Sequence, residues 1–92
     1  MSVTLDVSDR QRLLRVLAGL VEQHEIFRIK GFIALPGVAM RLVVQGVGRR
    51  FDSHFDRAWR SDEPRASRLV LIGQHLDAAV LQRELSTAML AT

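Results

Sequence analysis

Val3, Leu5 and Val7 alternate with Thr4, Asp6 and Ser8, the two-residue period of a half-buried strand. The period then lengthens. Leu13, Leu14, Val16, Leu17, Leu20 and Val21 recur at helical spacing, with Arg10, Arg12, Arg15, Glu22 and Gln23 mainly on the other side, which predicts an amphipathic helix lying on a core. Ser8 stands three residues before Gln11, the spacing of a capping box, and so marks the expected start of that helix. Phe27, Ile29, Gly31, Ile33 and Leu35 fall on one side of a second strand, with Arg28 and Lys30 on the other until Phe32 and Ala34 close it.

Pro36-Gly37 fits the centre of a type II turn, because proline presets φ and glycine accepts a positive φ. It leads into a hairpin strand, "MRLVVQGV", in which Leu42 and Val44 oppose Arg41, Val43 and Gln45. Gly46 and Gly48 mark a second tight turn. After it, Phe51 and Phe55 alternate with Asp52, His54 and Asp56. A polar loop, "DRAWRSDEPRAS", precedes "RLVLIG", whose unbroken apolar run predicts a central strand covered on both faces. Asp77 is the expected N-cap of a last helix that buries Val80, Leu81, Leu85, Ala88 and Met89. The order β-α-β-β-β-β-α predicts an α+β fold. It is a two-layer sandwich in which a four- to five-stranded, mostly antiparallel sheet carries both helices on one face. Residues 1–92 form one domain, since so short a chain has no room for a second core.

Composition narrows the chemistry. Apolar residues make up 48% of the chain, enough for a core without a staple. The absence of cysteine removes disulfides, thiol catalysis and Cys-based metal sites. It also fits a cytoplasmic location, as do the lack of a bilayer-length apolar run and of a signal-peptide pattern at the start. Twelve of the thirteen cations are arginine, so a net charge of +3 describes the chain at neutral pH better than its high isoelectric point.

"KGF" at Lys30 to Phe32 opens like the ribonucleoprotein signature of an RNA-binding sheet. Base stacking needs further aromatics, and the places two and five residues after Phe32 hold Ala34 and Gly37, while the first strand has none. Nucleic acid is not an expected partner. No glycine-rich loop ends in Gly-Lys-Ser/Thr. Ser53 and Ser67 announce no nucleophile–base set, so no catalytic residue and no enzyme activity are expected of this chain. Asp52, His54 and Asp56 would project together from a strand as carboxylate and imidazole donors. Residues i and i+4 of a strand are too far apart to share one ion without a bulge, so they read as a solvated face and no metal site is assigned. His24 and His75 stand alone near helix ends and read as local hydrogen-bond partners. Trp59, among Arg57, Arg60, Asp62 and Glu63, is either the anchor of its loop or an interface residue.

The blocks "EIFRIKGFIALPG", "MRLVVQGVG", "FDRAW" and "SRLVLIGQHLD" carry a resemblance. In that order and spacing the chain, from near Leu5 almost to its end, resembles the C-terminal domain of CobW-type proteins, with "RIKGF…LPG" and "FDR-x-W" closest to the cobalamin-biosynthesis branch. The resemblance implies that "KGF" is this domain's own strand signature. It also implies a parent protein that is a GTP-hydrolysing metallochaperone, whose N-terminal domain holds the phosphate-binding loop and a Cys-x-Cys-Cys metal motif. None of these motifs, nor the histidine-rich linker, occurs in these residues, so GTP and cobalt or zinc are implied for the parent alone and no cofactor for this domain. Met1 directly before the first strand fits a domain excised from a longer GTPase, or a freestanding gene. In the cobalamin branch the implied role is to supply cobalt to a cobaltochelatase.

The expected role is docking. The face bearing Arg28, Lys30, Arg41 and Gln45, or the loop with Arg57, Trp59 and Arg60, would pack on the GTPase domain or on a metalloprotein client. On that expectation, alanine at Trp59 and Arg57 weakens the association and leaves the fold intact. Two alternatives belong to other classes: a freestanding interaction or oligomerisation module, and a metal-binding domain in its own right.

Overall fold

A computed structural model describes residues 1–90. The chain forms β1 (Ser2–Leu5), α1 (Arg10–Gln23), β2 (Ile26–Ile33), β3 (Met40–Val47), β4 (Arg50–Ala58), β5 (Ser67–Gly73) and α2 (Ala78–Leu90). The sheet has five strands in the order β1-β5-β2-β3-β4, and every pairing is antiparallel. Because β5 pairs with both β1 and β2, those two strands run parallel with β5 inserted between them, a split β-α-β unit.

One core joins the layers. Leu13, Leu17 and Leu20 of α1 and Leu81 and Leu85 of α2 pack with inward residues of the sheet, among them Ile29, Ile33, Leu42, Val44, Leu69 and Leu71. Both helices therefore cover the same face. Polar ties lock the helices to each other and to the sheet. The Arg12 guanidinium donates to the carbonyl of Ala88 near the end of α2, where helix carbonyls lack partners. The His24 imidazole Nε2 lies 2.7 Å from Glu84 Oε2. Gln82 of α2 bonds both backbone groups of Thr4: its Oε1 accepts from the amide, and its Nε2 donates to the carbonyl. That side chain occupies the open edge of β1, where another strand would otherwise add.

Several expectations change in detail. Asp9, not Ser8, caps α1; its carboxylate accepts from the amides of Gln11 and Arg12. A carboxylate at that position satisfies free amide groups and complements the helix dipole as well. Asp77 caps α2 as expected, accepting from Ala79 and Val80, yet Val80 itself is exposed. Both turns form, the second without Gly46, which lies within β3 opposite Phe51. Val38 donates to the Leu35 carbonyl across Pro36-Gly37, with Gly37 at φ 72°, and Gly48 at φ 58° opens the two-residue turn between Val47 and Arg50.

Two bulges shift faces. Ile26 pairs with Gly73 and Arg28 with Ile72, leaving Phe27 as an extra residue; Ile26 takes the inward place and Phe27 turns out, 49% exposed. On β4 the extra residue is Asp56, between Phe55 opposite Leu42 and Arg57 opposite Arg41. β4 is an edge strand that runs through Ala58, beyond the expected loop boundary. Phe55 lies at that edge and is exposed, whereas Phe51 packs against the core.

Candidate interaction face on the open side of the sheet

The largest departure concerns β5. It is central, but only Ser67, Leu69 and Leu71 are buried; Val70 is 41% and Ile72 53% exposed. With both helices on one side, the other side of the sheet is bare. Strand register places Arg28, Lys30 and Phe32 of β2 opposite Ile72, Val70 and Arg68 of β5. These six residues, with Gly31, line a shallow groove of about 380 Å³.

The expected face residues meet there in part. Arg28 and Lys30 sit on the groove, and Arg41 stands one strand further on, its guanidinium 3.8 Å from the centre of the Phe32 ring. Phe32 is thus neither buried packing nor a free stacking platform: a cation already covers one of its faces. Gln45 lies exposed on the same side, opposite Asp52. Arg41 also binds Asp56 through two nitrogens. That side-chain hydrogen bond holds the Asp56 carboxyl below its usual range.

Arg57, opposite Arg41, lies near the end of β4, and Trp59 and Arg60 follow in the loop after it. Arg57 grips Glu63 in a two-point ion pair, Nη1 to Oε1 at 2.6 Å and Nη2 to Oε2 at 3.1 Å. The Glu63 carboxylate also accepts from the Arg60 amide at 2.7 Å. The Arg57 hydrogen bond first, and the Arg60 amide second, lower the Glu63 carboxyl to about 2, while Glu63 raises the Arg57 guanidinium above its ordinary value. Arg57 is therefore a brace of the loop. Replacing it would loosen the loop itself, so an alanine pair at Arg57 and Trp59 does not isolate a docking contact. Trp59 is half-buried, its amide donating to the Ala39 carbonyl. Its indole Nε1 is buried without an acceptor among the described residues. The Arg60 side chain is exposed.

The proposed donors Asp52, His54 and Asp56 do not converge. Asp52 and His54 face the open side opposite Gln45 and Val43, and the bulge that could have gathered Asp56 hands it to Arg41. Among the described residues no three His, Asp or Glu side chains group as a metal site. His24 and His75 bond locally, to Glu84 and Glu25 respectively. No described helix is long and apolar enough to cross a membrane.

The β-α-β-β-β-β-α domain carries both helices on one face of its sheet and leaves a bare, cation-rimmed groove on the other. Residues 2–89 match the family described as the cobalamin synthesis protein cobW C-terminal domain, and the chain belongs to that family. It is 56% identical over 87 residues to the zinc chaperone CobW of Pseudomonas aeruginosa, covering 95% of this chain and 23% of that protein. It is 42% identical over 77 residues to a zinc chaperone CobW of Sinorhizobium sp., covering 83% of this chain and 22% of that protein. The crystal structure of Zn(II)-bound YjiA GTPase from E. coli superposes with a TM-score of 0.75 at 26% identity, over 99% of this chain and 29% of that one. The chain thus spans about a quarter of the length of its relatives and corresponds to their C-terminal domain.

Proposed function

We propose that this domain is the docking module of a GTP-dependent metal chaperone, and that it docks through the bare side of its sheet. The observation that carries this reading is the exposure of Val70 and Ile72 on a central strand whose other side is fully buried. A sheet face with apolar central positions is stable when another layer covers it. The partner is the N-terminal GTPase portion of the same protein, with a metalloprotein client as its second contact. The relatives' names support a metal-delivery role: two are zinc chaperones, and one matching solved structure is a zinc-bound GTPase. GTP and the metal, cobalt or zinc, belong to that portion. The resemblance of "RIKGF…LPG" and "FDR-x-W" to the cobalamin branch favours cobalt delivery to a cobaltochelatase in the cytoplasm.

The test is calorimetric titration of this chain into the remaining portion of the P. aeruginosa relative, loaded with GDP or with a non-hydrolysable GTP analogue. Saturable binding whose affinity differs between the two nucleotide states is expected, because nucleotide can steer the contact only through a difference in affinity. Absence of binding in both states contradicts the docking role, and equal affinity removes nucleotide control. Adding cobalt or zinc in parallel titrations identifies the metal that strengthens the contact.

A further inference from the structure

The distribution of charge on the bare face specifies its occupant. Arg41 and Arg57 are already neutralised by Asp56 and Glu63. Arg28, Lys30 and Arg68, the three cations on the groove, form no ion pair among the described residues. Between them lie Phe32, Val70 and Ile72, all exposed. The groove therefore offers an apolar floor with unpaired positive charge at its rim.

We infer that this groove seats an acidic amphipathic helix of a protein partner. The inference rests on the docking role proposed above and adds the chemistry of what docks. Spacing supports a helix. Arg28 and Lys30 are two residues apart on one strand, about 6.4–6.8 Å, and carboxylates four residues apart on a helix are separated by about 6 Å along its axis. An Asp or Glu pair at i and i+4 thus meets both cations, and the apolar residues on the adjoining stripe rest on Val70 and Ile72. Arg68, across from Phe32, caps the far end of the floor. A helix on this side would also complete a third layer, mirroring α1 and α2 on the other.

Two other occupants fit less well. A second copy meeting face to face would bring Arg28, Lys30 and Arg68 against their own counterparts, a like-charge contact that opposes association. Single-stranded nucleic acid would supply the negative charge, but it needs open aromatic faces for its bases. The groove has one aromatic ring, one face of which Arg41 already covers, and its aliphatic floor offers no second ring for a base to stack on.

The experiment uses three probes: a synthetic amphipathic helical peptide with glutamate pairs four residues apart beside a leucine stripe, the same peptide with lysine for each glutamate, and a single-stranded RNA oligonucleotide. Binding is followed by NMR shifts of the Val70 and Ile72 methyl groups. The glutamate peptide is expected to bind at the groove, with affinity that falls as salt rises. Arg28→Glu with Lys30→Glu is expected to weaken it about tenfold or more. Both side chains are exposed, and an unchanged thermal midpoint confirms that the variant folds. Ile72→Asp, which places a carboxylate on the floor, is expected to act in the same direction. Equal binding of the lysine peptide, shifts confined to the helices, or displacement of the peptide by RNA overturns the proposal. If the peptide fails while the relative's GTPase portion still binds, the acidic helix is wrong and docking stands; failure of both ends both.

Discussion

Two glycines show how little of the chemistry at a position its letter reveals. A Cβ on Gly31 would overlap the backbone carbonyl oxygen of Arg68 on β5 and lie 2.8 Å from the Cα of Leu69. Backbone in the middle of a sheet cannot retreat, so "KGF" carries its glycine for strand approach. Gly31→Ala is expected to cost at least about 2 kcal/mol in urea unfolding; a loss within experimental error would contradict that close approach. A methyl group on Gly19, inside α1, would meet nothing within 4 Å beyond its own helical turns. Gly19→Ala is expected to stabilise the chain by about 0.5–1 kcal/mol, through helix propensity alone. Periodicity in the sequence puts Gly19 on a helix and Gly31 on a strand, but the close approach of β5 that makes Gly31 intolerant of a side chain shows only in the structure. Glu63 yields a third expectation. Its carboxyl is lowered from 4.5 to about 2, so the Arg57 brace is fully formed above pH 4.5 and is lost as pH falls through about 2. Trp59, the sole tryptophan, reports on the same loop: its emission should hold steady from pH 7 to 4.5 and change only below that range. A transition centred near 4.5 would show that the ion pair does not form.

The elements were legible wherever one periodicity dominated. α1 was readable because its inward leucines repeat cleanly, and Leu17, fully buried, should cost about 2–5 kcal/mol when cut to alanine, as measured by thermal or urea unfolding. A cost below about 1 kcal/mol would mean that α1 does not pack on the sheet as described. β5 was legible as a strand and misread in its surroundings. In "RLVLIG" the outward positions Val70 and Ile72 are as apolar as the inward Leu69 and Leu71, and residues that fit a buried layer also fit a face awaiting a partner. The bulges at Phe27 and Asp56 left no mark in the sequence, because one extra residue changes the register of a strand without changing its composition. They moved Phe27 outward and turned Asp56 to Arg41. The candidate site was therefore half legible: Arg28, Lys30 and Arg41 were placed on one face by alternation, whereas Arg68, Val70 and Ile72 emerged only when β5 was found beside β2.

The whole molecule is two-sided. One side of its sheet is sealed by helices that also guard the β1 edge through Gln82. The other side is open, apolar at its centre and positive at its rim. The domain accounts for about a quarter of its relatives' length, and the proposed docking places the rest of such a protein against that open side. The most direct test is an NMR shift map of the labelled chain as the remaining portion of the P. aeruginosa relative, incubated with GDP or a non-hydrolysable GTP analogue, is added. Shifts clustered on Lys30, Phe32, Arg68, Val70 and Ile72, with α1 and α2 unaffected, are the expected result. Shifts centred on the helices or on the loop around Trp59 would contradict docking through the open face.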